Sequence, residues 1–78
     1  MIEVRLPQPG MGMTEGTIVA WLRQPGDPVA KGEALAEIEW AKVEEELEAP
    51  ATGVVVELLV AEGDTVPVRT VIAIIDGR

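Results

Sequence analysis

Gly16-Thr17-Ile18-Val19-Ala20-Trp21-Leu22-Arg23-Gln24-Pro25-Gly26-Asp27-Pro28-Val29 is followed, about 37 residues later, by Gly53-Val54-Val55-Val56-Glu57-Leu58-Leu59-Val60-Ala61-Glu62-Gly63-Asp64-Thr65-Val66. The two stretches align without a gap. Gly16 falls on Gly53, Val19 on Val56, Leu22 on Leu59, Gly26 on Gly63, Asp27 on Asp64 and Val29 on Val66, and the match continues with Ala36 on Ala73 and Ile38 on Ile75. A unit repeated in this way packs around a pseudo-twofold axis, so the segment that joins the copies, 16–40 and 53–77, occurs only once. Lys42, one of only two lysines, lies in that joint.

Beyond the repeat, short apolar stretches alternate with Gly, Pro and Asp throughout, which predicts an all-β sandwich or barrel. Strands are expected near 2–6, 17–22, 27–29, 35–40, 43–48, 54–59, 64–66 and 71–75, and no helix. The run Val43 to Glu48 is rich in Glu, but it is too short for a stable helix and Pro50 follows closely. The Gly26-Asp27 and Gly63-Asp64 pairs predict tight turns in which glycine takes a positive φ and Asp bonds its own backbone. In the fourth strand Ala36, Ile38 and Trp40 alternate with Glu37 and Glu39, giving one buried and one solvated face. Trp40 stands where the buried file runs out, and either caps the core or serves recognition beside Lys42.

The duplication extends backwards with a longer offset. Pro7 falls on Pro50, Val4 on Leu47 and Glu3 on Glu46, about 43 residues apart, so the first copy carries roughly six additional residues before Gly16. They form the loop Gln8, Pro9, Gly10, Met11, Gly12 and Met13. The twofold operation places this loop beside Lys42, whereas it maps Trp40 onto Gly77 and so sets the C-terminus at the opposite end. Lys31, the other lysine, reads as an ordinary turn residue opposite Val68.

The 78 residues predict one small domain, 1–78, close to the lower size at which an apolar core suffices alone. Cysteine, histidine, tyrosine and phenylalanine are all missing. With no thiol and no imidazole, the chain lacks the usual nucleophile, general base and transition-metal ligands, so neither a catalytic centre nor a metal site is expected. The core must come from Val, Ile, Leu, Ala and the two tryptophans. The net charge of -8 disfavours nucleic acid and anionic membranes. Neither a bilayer-spanning run nor a signal-peptide pattern is present, which makes the cytoplasm the expected location. The lack of an Ala- and Pro-rich linker between Met1 and Arg78 fits both a free-standing carrier and a trimmed domain.

The run Leu35-Ala36-Glu37-Ile38-Glu39-Trp40-Ala41-Lys42-Val43, followed by Leu47-Glu48-Ala49-Pro50-Ala51-Thr52-Gly53, resembles the attachment segment of lipoyl domains. Met11-Gly12-Met13-Thr14-Glu15-Gly16-Thr17-Ile18-Val19, Gly26-Asp27-Pro28-Val29 and Glu62-Gly63-Asp64-Thr65-Val66-Pro67-Val68 share the resemblance. These domains belong to the dihydrolipoyl acyltransferase component of 2-oxo acid dehydrogenase complexes. The resemblance implies a flattened β-barrel or sandwich of two four-stranded antiparallel sheets, with Lys42 at a hairpin tip carrying lipoate in amide linkage. It also implies a carrier that is no enzyme by itself. Its partners would be a lipoate ligase or lipoyl transferase, a thiamine-dependent 2-oxo acid decarboxylase, the acyltransferase core and a flavin-dependent dihydrolipoyl dehydrogenase.

Around the lysine, Glu39, Trp40, Ala41, Val43 and Glu44 join the 8–13 loop as candidate recognition residues. The family usually has Asp, less often Ala, just before the lysine and Thr or Ser before that, so Trp40 is the larger departure. Biotinyl domains share the fold but carry Met on both sides of their lysine, where this chain has Ala41 and Val43. A biotin carboxyl carrier is the alternative, and an unmodified lipoyl-like adaptor a third reading. The Glu44 to Glu46 run reads either as a solvated edge that discourages strand pairing or as a recognition surface.

Overall fold

In the computed structural model, which describes every residue of the chain except Pro9, Met11, Lys42 and Arg78, eight strands form two four-stranded antiparallel sheets. They are β1 (Ile2–Arg5), β2 (Glu15–Trp21), β3 (Pro28–Val29), β4 (Ala34–Trp40), β5 (Val43–Glu48), β6 (Gly53–Leu58), β7 (Thr65–Pro67) and β8 (Val71–Gly77). One sheet has the order β1-β8-β6-β3 and the other β5-β4-β2-β7. Exchanging β1 with β5, β2 with β6, β3 with β7 and β4 with β8 turns either order into the other. The duplication in the sequence is therefore the symmetry of the fold.

The correspondence reaches single residue pairs. Thr17 pairs with Glu39 and Ile18 with Ile38, just as Val54 pairs with Asp76 and Val55 with Ile75. Both β2 and β6 then skip one residue, Val19 and Val56, before pairing resumes at Ala20 with Glu37 and at Glu57 with Ile74. These matched bulges bend each long strand at the same point. They also explain why Val19 and Val56 are exposed although they lie in apolar runs. The outer strands keep the longer offset, since Ile2 pairs with Ile75 and Glu3 with Ile74 where Glu45 pairs with Ile38 and Glu46 with Glu37.

Turns repeat as well. Gly26 and Gly63 have φ of 96° and 92°, as expected for glycines that lead into β3 and β7. The aspartate that follows each reaches back rather than bonding its own backbone. Asp27 Oδ2 accepts from the Gln24 backbone N–H at 2.8 Å, and Asp64 Oδ2 from that of Ala61 at 2.9 Å. That carboxylate closes the loop from its far side and so fixes the turn as a unit.

Between the sheets lies a core of Val4, Leu6, Ile18, Leu35, Ile38, Val55, Ile72 and Ile75 with small residues and both tryptophans. The aliphatic residues supply most of the apolar burial that stabilises so small a chain. Trp21 joins the core at its margin, its indole N–H donating to the Val60 carbonyl at 2.9 Å.

Candidate functional site

β4 and β5 form a hairpin whose last paired residues are Trp40 and Val43. Its two-residue turn opens with Ala41 at φ 46°, the left-handed conformation that such tight turns require and that alanine adopts only under constraint. Lys42 completes the turn in the sequence and lies outside the described residues. On either side of it Ala41 is exposed and Val43 is 52% exposed, so the polypeptide around the lysine is open to a partner.

The antiparallel register places the start of β2 at this same end. With Thr17 opposite Glu39, Gly16 abuts Trp40 and Glu15 comes alongside the turn. Glu15 also pairs with Pro67, the Val68 N–H bonds Thr14 O at 2.9 Å, and the Arg69 N–H bonds Leu6 O at 2.7 Å. Both stems of the 8–13 loop are thereby anchored at the hairpin end of the barrel. Within the loop the Gln8 side-chain amide donates to Met13 O at 3.3 Å, Gly10 is half-buried, Gly12 is exposed at φ 86°, and Met13 packs against the core. Pro9 and Met11 are outside the described residues.

Trp40 is 1% exposed and belongs to the core. Its ring is closed to partners, so of the two readings of Trp40 the core cap holds, and the side chain drops out of the candidate recognition residues. The alternation along β4 carries Trp40 inward, and Gly16 leaves room for the ring. Glu39 and Glu44 point outward, exposed and directly opposite each other, and one step further along the half-buried Glu37 faces the exposed Glu46. Like charges paired across strands destabilise a sheet, so this edge keeps a costly acidic ladder. Glu45, which sequence reasoning did not single out, lies on the inner side of β5 and accepts the Trp40 indole N–H at 2.8 Å. The alternation Val43, Glu45, Leu47 was the available signal.

An open cavity of about 530 Å³ lies elsewhere, lined mainly by β3 and by Thr52, Gly53 and Val54, with no contribution from the hairpin. The arrangement at the hairpin is that of a display: a tight, exposed turn on a stiff ladder. An amide-linked group needs open surroundings and no enclosing pocket, and the described residues on either side of position 42 provide them.

The biotin/lipoyl family model, described as biotin-requiring enzyme, matches residues 2–75. The chain belongs to this family. A relative from Staphylococcus saprophyticus, the dihydrolipoyllysine-residue succinyltransferase component of its 2-oxoglutarate dehydrogenase complex, is 49% identical over 75 residues, 96% of this chain. The dihydrolipoyllysine-residue acetyltransferase component of the acetoin cleaving system of Bacillus subtilis is 42% identical over 95% of the chain. The chain spans only 18% and 19% of those two proteins. Among solved structures, the lipoyl domain of the 2-oxoglutarate dehydrogenase complex from Azotobacter vinelandii superimposes with a TM-score of 0.79 and 32% identity, each chain covered completely. The fold is that of a lipoyl domain, and the relatives are acyltransferase components whose names specify a lipoylated lysine rather than biotin carriers.

Proposed function

We propose that the chain is a non-catalytic carrier domain with lipoate in amide linkage to Lys42, working between the active sites of a 2-oxo acid dehydrogenase complex. The observation that carries this reading is the tight turn between Trp40 and Val43, exposed at one end of a lipoyl-domain barrel. When attached, the lipoyl group supplies the dithiol chemistry of acyl and electron transfer, for which this chain has no cysteine of its own. The share of the protein is presentation. The β4–β5 ladder holds the turn, exposed Val43 offers an apolar contact beside the lysine, and Glu39 and Glu44 present negative charge on the outer face. An arm on so small a body raises its effective concentration at each successive partner. Those partners are a lipoate ligase or lipoyl transferase, a thiamine-dependent decarboxylase, an acyltransferase core and a dihydrolipoyl dehydrogenase. The acyltransferase relatives favour lipoate over biotin.

The test is reductive acylation. The chain is loaded by a lipoate ligase with lipoate and ATP, then given a thiamine-dependent decarboxylase and labelled 2-oxo acid. The loaded chain acquires the label and the Lys42→Arg variant does not, because the guanidinium is no nucleophile at neutral pH. Equal labelling of the two would overturn the reading.

A further inference from the structure

The two ends of the pseudo-symmetric barrel are filled in opposite ways. At the end away from the hairpin, residue 77 is glycine and residue 2 is isoleucine, and Ile2 Cδ1 stands 2.7 Å from where a Cβ of Gly77 would lie. Their symmetry mates are Trp40 and Glu45. At the hairpin end the large side chain thus belongs to the central strand, and the edge strand carries a carboxylate on its inner side. The Trp40 ring bridges the sheet from β2 to β5: its benzo edge lies over Gly16, and its N–H bonds Glu45 Oε1 at 2.8 Å.

We propose that Trp40 and Glu45 form a brace across the base of the hairpin and act as positioning residues for attachment at Lys42, a role that rests on the lipoyl reading above. Trp40 is the last residue before the turn, and Glu45 comes two residues after β5 begins, so their bond ties the incoming strand to the outgoing one. Ala41 follows Trp40 directly at φ 46°, a conformation that an alanine keeps only when its neighbours hold it. A buried indole N–H needs an acceptor, and Glu45 supplies it from a side chain that is itself solvent-accessible. Orientation of the nucleophile is what a ligase active site rewards, since small misplacements cost large factors in rate. An inward charge on an edge strand also deters strand pairing, but that purpose needs no bond to Trp40.

The experiment compares Glu45→Ala, Glu45→Gln and Trp40→Phe with the parent chain, each shown folded by its thermal melt. Lipoylation by a lipoate ligase is followed by intact mass, and ¹⁵N relaxation is recorded at residues 41 and 43 of the unmodified proteins. Glu45→Ala should lower kcat/KM for lipoylation about tenfold and loosen the turn on the picosecond to nanosecond scale. Glu45→Gln should stay within about twofold of the parent, because it keeps the acceptor oxygen without the charge. Trp40→Phe, which keeps a ring and loses the N–H, should behave as Glu45→Ala. If Glu45→Gln is as slow as Glu45→Ala, the carboxylate acts through its charge on the ligase, and the brace is overturned. Unchanged rates and unchanged relaxation in Glu45→Ala overturn it too. A parent chain that accepts no lipoate refutes the carrier reading instead, and the relaxation data then decide the brace alone.

Discussion

Gly16 lies directly against Trp40: a Cβ at residue 16 would stand 2.7 Å from Cζ3 and 2.9 Å from Cε3 of the indole. Gly53, the symmetry mate of Gly16, is confined by something harder. A Cβ there would collide with the backbone carbonyl of Asp76. The same glycine is thus required twice, once by a side chain and once by the main chain.

Gly16→Ala should therefore cost about 1 to 3 kcal/mol, as overpacking of a dense core does, and Gly53→Ala should cost more. Trp40→Leu should recover part of the loss in Gly16→Ala, since it vacates the ring atoms, and should recover none in Gly53→Ala. Urea melts of the single and double variants check this ordering.

Arg69 has φ 72° at the place where the first copy has Gly32 at 91°. Left-handed backbone costs a side-chain-bearing residue about 1 to 2 kcal/mol, and Arg69 is exposed with little packing to lose. Arg69→Gly should stabilise the chain by up to about 1 kcal/mol after the added chain entropy of glycine is subtracted. Gly32→Ala should destabilise it. Equilibrium denaturation of the two variants gives both signs.

The acidic ladder makes a prediction about salt. Glu37 and Glu46 face each other across β4 and β5, so Glu46→Lys replaces a repulsive pair with an attractive one. It should raise stability by about 0.2 to 1 kcal/mol at low ionic strength, and the gain should fade near 1 M salt. Thermal melts at the two salt concentrations measure the difference.

The eight strands and the twofold were legible because the repeat has one residue of register per residue of sequence, and β5 begins and ends where its pattern does. β2 and β8 run further than expected, to Glu15 and Gly77, because partners in β7 and β6 continue to pair with them there. The bulges at Val19 and Val56 were hidden, since a skipped residue in an apolar run leaves the hydrophobic pattern almost intact. At the site, the position of the turn was readable from Trp40-Ala41-Lys42-Val43, and the inward face of Trp40 from its alternation with Glu39. The covering of its ring was not, because that depends on Gly16 from another strand. The bond from Trp40 to Glu45 was hidden for a related reason: a carboxylate within the Glu44 to Glu46 run looks solvated until the indole N–H that it accepts is placed.

The loop 8–13 is extra in the first copy only, and its stems are anchored at the hairpin end. Shortening it to the length of the Ala51 to Thr52 connection removes the core contact of Met13 and should lower stability modestly, yet leave a folded domain that is lipoylated normally and reductively acylated by the cognate decarboxylase about tenfold or more slowly, as lost positioning contacts do. Single-turnover acylation of the loaded domain is the measurement, and an unchanged rate would reduce the loop to a spacer.

The proposed carrier role stands on lipoate being attached at Lys42. Its most direct test is the intact mass of the protein isolated from its native cell, followed by peptide mapping of the residues 32–69 between the flanking cleavable sites. One lipoyl increment is expected, confined to Lys42 and absent from Lys42→Arg. A biotinyl increment, or a lipoyl group on Lys31, would contradict it.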